Sequence, residues 1–484
     1  MHHVVFTLAC LVTVGQGRRV RAPLQEGRSG QSLDGLPAAA FTPSRAHLSR
    51  RPSAPRAAPA VAFFGGAQPA EAAPKRGSGT KGPTNEVVRT VEGIRHKRLG
   101  GGDIIVSEMG LGTQRWGSAD FNGPDEALCH KMMDRAILEG GINLIDTAEQ
   151  YPIPSDAMRP EGNTERIIGK WLKKGPGRRE KVVIASKITG GSNVNAKSIK
   201  ADCEGSLRRL GTDYLDLYLL HWPARYSPQA NWGQSLAYTQ GMEKYWGQAA
   251  SFEEIAKAMS DLVKAGKIRG WGMCNDNAYG LVASCYEARA LEGTPPVVMQ
   301  NDFSIINRRI EENGLAEASS PVNENVGFMA YNALAGGVLT GKYIDQPAAV
   351  DDPDKARREK NLANPRGRMD EFGWGSTLYR YRSGPARAAT AEYDKLAKKF
   401  GIPLAEMVLR WTKERSAVTT TLVGHTSMQQ LEDSLKFYAN SETLPRELMW
   451  EIDRVHMVNR LPIFSSTSVP ADRYGKGRIG ERIP

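Results

Sequence analysis

Cysteine is scarce and shows no pattern: Cys10, Cys129, Cys203, Cys274 and Cys285 are scattered over 484 residues. Such spacing excludes a disulfide framework, and no CxxC or Cys/His cluster offers metal ligands, so no metal is expected. The apolar run Val4 to Val14 is too short to span a bilayer, and the rest of the chain has no candidate span. The only GxGxxG matches, residues 77–82 and 475–480, lie outside the region of alternating strand-like and helix-like segments, so the usual sign of a Rossmann dinucleotide domain, a glycine run between a strand and a helix, is missing. Acidic residues are rare at the start. Residues 1–85 carry eleven Lys or Arg against Glu26, Asp34 and Glu71, an excess of eight out of the chain's net +11. The basicity belongs to that segment, so the high pI makes no case for a nucleic-acid partner.

What remains has a globular balance, with 40% hydrophobic and 24% charged residues. The first 85 residues read as a targeting leader. A short apolar h-region is followed by Arg18-Arg19 and a tract rich in Ala, Arg, Ser and Pro, too polar and simple to fold. Such a two-part segment resembles leaders that direct proteins to a plastid of secondary origin. A mitochondrial presequence or a plain extension of a cytoplasmic protein are the alternatives. The leader is expected to be removed and to contribute nothing to the folded domain, residues 86–484.

From about Ile94 the chain alternates apolar, strand-like runs with helix-like segments that have charged faces. A hairpin candidate, HKRLGGGDIIVS, comes first and is placed to plug a barrel. Strand candidates follow at 108–113, 142–148, 182–187, 214–222, 268–275, 297–303, 326–334 and 419–425. Eight strands alternating with helices predict a (β/α)8 TIM barrel.

Nearly every candidate strand ends in a residue with chemical potential: Thr113, Asp146, Lys187, His221, Asn275, Gln300, Tyr331 and Gly424. In such a barrel these ends converge on one mouth, where active sites are built. Tyr151 lies five residues after Asp146. A phenol has a pKa of roughly 10, and a neighbouring lysine ammonium favours its phenolate while a carboxylate holds the lysine charged. Asp146, Tyr151, Lys187 and His221 together suit protonation of a carbonyl oxygen as hydride reaches its carbon.

With GLGTQRWG, GINLIDTAEQYP, VVIASK, DYLDLYLLHWP, GKIRGWGMCN, QNDFSIINR, LAGGVLTGKY and TTTLVGHTSMQQLEDSL in order, residues 94–462 resemble the aldo-keto reductase family, in particular its bacterial Tas-type branch. The resemblance implies a barrel that binds NADPH without a Rossmann domain and reduces a small-molecule carbonyl. It implies a catalytic tetrad of Asp146, Tyr151, Lys187 and His221, and carboxamide contacts from Asn275 and Gln300, with Thr113 nearby. It further implies nicotinamide stacking on Tyr331 and a pyrophosphate loop including Asn332, Ala333, Leu334 and Gly336, with Lys342. The adenosine end falls on Gly424, Thr426, Ser427, Gln430 and Asp433. Trp116 and Trp222 are expected to wall the substrate pocket, with ordinary core tryptophans as the alternative.

Three departures stand out. Cys274 replaces the serine usual before Asn275, and QNPY has become Gln300-Asn301-Asp302-Phe303. Ser434 takes a position commonly Asn in the adenine segment. Residues 223–251, with Trp232, Tyr238, Tyr245 and Trp246, form a candidate lid or a plain surface insertion. Residues 344–387 supply Arg366, Arg368, Arg380 and Arg382, and Arg380 is favoured for the 2′-phosphate of NADPH. The reading is an NADP-dependent oxidoreductase, with a redox-sensing regulatory subunit of slow turnover as the alternative.

Overall fold

The computed structural model describes residues 81–464, apart from 119–121, 192–193, 228–237, 239, 242, 244–248 and 372–377. The leader up to residue 80, and Trp232, Tyr245 and Trp246 of the lid candidate, lie outside the described residues.

An antiparallel three-stranded sheet comes first: β1 (Val87–Val91), β2 (Ile94–Arg98) and β3 (Ile105–Ser107), in the order β1-β2-β3. The β2–β3 hairpin is the one expected, and β1 is an additional strand. Eight parallel strands then close a barrel: β4 (Met109–Gly112), β5 (Leu144–Asp146), β6 (Val183–Ile188), β7 (Leu215–Leu220), β8 (Ile268–Cys274), β9 (Val298–Asp302), β10 (Gly327–Tyr331) and β11 (Thr420–Val423). Each pairs with the next, and β11 pairs with β4. The chain is a (β/α)8 barrel.

The strands are apolar on both faces because both are covered. Leu144, Val183, Ala185, Leu217, Leu219, Val298, Met329 and Leu422 pack with Leu99, Ile104 and Val106 of the hairpin region. This cluster fills the lumen, and the hairpin plugs it. The larger cluster lies between strands and helices, including Ile145, Ile184, Tyr218, Met273, Phe328 and Trp411. Gly110 and Gly270 allow this close packing: a Cβ on Gly110 would lie 2.7 Å from Leu144, and one on Gly270 2.8 Å from Val297.

Helix ends follow local rules. Asn195 forms a capping box with Ser198 before Ala196–Leu210, which stops at left-handed Gly211, and Ser251 and Asn277 cap the next two long helices. The helix-like segment EENGLAEASS (residues 311–320) does not form one helix: the chain is helical over Arg309–Glu312 and Leu315–Ser319 and breaks between them, where Gly314 takes φ 83°. Residues 81–85, grouped with the leader by composition, are stitched to the barrel. The Thr84 amide donates to Asn325 Oδ1 at 2.7 Å, Asn85 Nδ2 to the Ser416 carbonyl at 2.8 Å, and Thr419 Oγ1 to Asn85 Oδ1 at 2.5 Å.

Candidate active site

Side chains two apart share a strand face, so the lumen positions count forward to the mouth. Leu144 leads to Asp146, Ala185 to Lys187, Leu219 to His221, Val298 to Gln300, Met329 to Tyr331 and Leu422 to Gly424. One parity rule brings six strand ends to a single rim.

Lys187 is completely buried and uses all three ammonium protons. They reach Asp146 Oδ1 at 2.7 Å, Asp146 Oδ2 at 2.8 Å and the Thr147 carbonyl at 2.8 Å. Asp146 is completed by Gln300 Nε2, which donates to Oδ1 at 2.8 Å. Burial pushes the Asp146 carboxyl up, against the pull of Lys187 and Gln300. Burial pulls the Lys187 ammonium down more than any single neighbour raises it, but Asp146, Tyr151 and Cys274 together outweigh it and the net shift is upward. The pair is a buried, hydrogen-bonded unit.

Tyr151 is buried, its ring centroid 5.0 Å from Lys187 Nζ and 5.6 Å from the His221 ring, edge to face. Here the structure corrects the sequence argument. Burial drives the phenol upward by more than Lys187 lowers it, so the net shift is toward the protonated form. His221 is driven far below its ordinary value, first by burial and then by Lys187, and is a neutral imidazole. Its Nδ1 has no partner among the described residues.

Around this group the expected contacts are placed but partly occupied. Thr113 is buried and its hydroxyl donates to the Asp146 carbonyl at 2.8 Å, so it braces β5. Asn275, at φ 59°, donates through Nδ2 to the His221 carbonyl at 3.0 Å and to Cys274 Sγ at 3.3 Å. Its Oδ1 accepts from the Tyr331 hydroxyl at 2.5 Å. The Cys274 thiol, pushed up by burial, is 3.5 Å from Gln300 Oε1. Trp222 is half-buried and stacks on His221 at 6.0 Å between centroids. Trp116 is 1% exposed and packs in the apolar core.

The loop after β10 has left-handed backbone at Asn332 (φ 58°), Ala335 (49°), Gly336 (65°) and Gly337 (94°). The right-handed to left-handed step from Leu334 (φ −91°) to Ala335 is the backbone geometry of an anion-binding concavity. Ala333 is buried and Leu334 half-buried. A Cβ on Gly336 would lie 2.6 Å from Met369 Cε. Lys342 donates to the Arg366 carbonyl at 3.0 Å, and burial lowers its ammonium. On the next strand end, exposed Gly424 lies against Gly112, whose added Cβ would be 3.5 Å from the Gly424 amide. Ser427 caps the helix Met428–Ala439 by accepting from the Gln430 amide. Gln430 Oε1 accepts from the Thr426 amide at 2.8 Å, and Asp433 Oδ1 from Gln429 at 2.9 Å. Ser434 is buried and bonds His425 at 3.0 Å. This set of exposed polar groups, left-handed loop and glycines fits a dinucleotide.

The arginines of 344–387 are largely committed. Arg380 is buried and donates to Asp302 Oδ2 at 3.1 Å. Arg366 holds Asp370 at 2.8 Å, and Arg382 pairs with Asp351. Arg368 is lowered to about 10 by burial and then by Arg115, which is itself bidentate to Glu371 at 2.8 Å. Sequence reasoning missed Asp302 and Tyr381 as parts of the mouth, although the QNDF departure was their signal. Tyr238 is exposed. Among the described residues no helix is long and apolar enough to cross a membrane, and no acid, His or Cys group is placed to hold a metal.

The model of the Aldo/keto reductase family matches residues 108–456. The chain belongs to this family. It is 35% identical over 385 residues to Protein tas of Escherichia coli, covering 76% of this chain and 99% of that protein. It is 30% identical over 296 residues to an Aldo-keto reductase of Babesia bovis, covering 58% and 98%. An uncharacterized oxidoreductase, YrpG of Bacillus subtilis, is 28% identical over 354 residues, covering 71% and 90%. The protein is therefore an oxidoreductase of a family that generally binds NAD(P)H, and its expected substrate class is a small carbonyl compound.

Proposed function

We propose that this aldo-keto reductase uses NADPH to reduce an aldehyde or ketone to an alcohol, with Tyr151 as general acid. The observation that carries this reading is the buried Asp146–Lys187 pair beside the Tyr151 ring. Bound NADPH would supply the hydride. Burial keeps the phenol protonated at neutral pH, so a proton is available when the carbonyl oxygen gains charge. As Tyr151 gives it up, the Lys187 ammonium stabilises the phenolate left behind. Asp146 keeps that ammonium charged, and neutral His221 offers a hydrogen bond to the same oxygen. Tyr331, Asn275 and Gln300 would hold the nicotinamide, the Asn332–Gly337 loop and Lys342 the pyrophosphate, and Gly424, Thr426, Ser427, Gln430 and Asp433 the adenosine end. The composition of residues 1–85 supports a soluble enzyme imported into a plastid.

The test is turnover of a panel of aldehydes and ketones with NADPH and NADH. Reduction with tighter binding of NADPH, by a margin that narrows as salt rises, is the expected result. Tight NADPH binding without measurable turnover on any carbonyl would replace this reading with the sensor.

A further inference from the structure

Asp302 stands where the family motif QNPY has proline, and it is 3% exposed at the end of β9. In the parallel β9–β10 ladder its register partner is Tyr331. Its Oδ2 accepts from the Tyr381 hydroxyl and, at 3.1 Å, from Arg380 Nη2. The same hydroxyl accepts from Asn332 Nδ2 at 3.1 Å and from Arg380 Nη2 at 3.1 Å. One donor and two acceptor sites are thus filled on Tyr381, and its orientation is determined by Asp302.

Asn332 is the consequential partner. Its φ of 58° is left-handed, a conformation that costs a non-glycine residue energy unless its side chain is held. It sits between Tyr331 and the loop whose left-handed residues continue at Ala335, Gly336 and Gly337. Tyr331 in turn donates to Asn275, which holds the His221 carbonyl. A proline at 302 offers no acceptor for Tyr381, and Arg380 would lose its carboxylate.

We propose that Asp302 is a positioning residue for the cofactor site, acting through Tyr381 to hold Asn332 left-handed and so to preset the Tyr331 ring and the loop behind it. The inference rests on the NADPH reading above. It also gives Arg380 a different task from phosphate recognition, as the ion-pair partner of Asp302 inside the protein. Where the preset conformation is only partly populated, apparent affinity falls by that fraction, whereas chemistry at saturating cofactor does not.

The experiment measures the NADPH dissociation constant by tryptophan quenching for wild type, Asp302→Asn, Tyr381→Phe and the double variant. kcat at saturating NADPH and the melting temperature without cofactor are recorded alongside. Each single change is expected to weaken NADPH binding about tenfold or more, and the double variant to add less than about twofold, because both break one relay. kcat at saturation should stay within about threefold of wild type. Tyr381→Phe retains the buried ring and carries the test if Asp302→Asn fails to fold. Dissociation constants within about twofold of wild type, even with a lowered melting temperature, would reduce the network to a structural ion pair and overturn the proposal. Wild type that binds no NADPH would instead overturn the parent reading, and this one with it.

Discussion

Replacing Asp146 with asparagine removes one charge from a pair shielded from bulk solvent. Lys187 is 0% exposed and two of its three hydrogen bonds end on the Asp146 carboxylate. Breaking a buried ion pair by removing one partner costs about 3–5 kcal/mol, because the remaining charge is stranded. That is a large part of a total stability of about 5–15 kcal/mol. The variant can limit the loss by releasing the lysine proton, and this leaves a signature. In wild type the Lys187 pKa is raised, so its stabilisation is fully present below the ordinary lysine value and is lost only above it. In Asp146→Asn the folded-state pKa drops below the unfolded value, and the variant regains stability as pH rises. The gap between the two proteins should therefore shrink by up to about 1.4 kcal/mol per pH unit between pH 7 and 9. Urea unfolding at three pH values measures it. A gap below about 1 kcal/mol, or one that does not change with pH, would refute a charged buried pair.

Tyr151→Phe should lower carbonyl reduction about 10²–10⁴-fold and leave NADPH binding intact, as read from steady-state rates and fluorescence titration. Glu149 accepts from the Thr189 amide and hydroxyl, both at 2.7 Å, and burial followed by Asp202 pushes its carboxyl up to about 7. The unfolded chain ionises first, so this group costs stability as pH rises from about 4.5 to 7. Glu149→Gln should flatten that decline in urea unfolding, and identical slopes would exclude the shift. A chain beginning at Lys81 should fold like the full protein. One beginning at Val87 loses the Thr84 and Asn85 bonds, each worth about 1 kcal/mol net, and should melt several degrees lower. Mass spectrometry of the native protein should find its first residue at or before Lys81, and an intact Met1 would end the import hypothesis.

The barrel and the identity of its rim residues were legible in the sequence. A parallel strand covered on both faces must be apolar throughout, so a polar residue at its carboxyl end stands out. Asp146, Lys187, His221 and Gln300 were readable for that reason, since alternation along the strand carries the lumen face straight to the mouth. Gly314 was not legible in this way: EENGLAEASS reads as one helix, and only the turn the folded chain makes there splits it.

What tertiary structure decided were quantities that depend on everything packed around a group. Lys187 alone argues for a lowered phenol pKa, but the burial of Tyr151 in the folded protein outweighs it. The same holds for Arg380: composition makes it a candidate for phosphate, whereas its partner is a carboxylate 78 residues earlier in sequence. Thr113 is readable as a rim residue, yet only the β4–β5 pairing shows its hydroxyl spent on the Asp146 carbonyl. Strand periodicity is local and survives in one dimension. Burial and ion pairing are sums over neighbours in space, and the chain acquires those neighbours only when it folds.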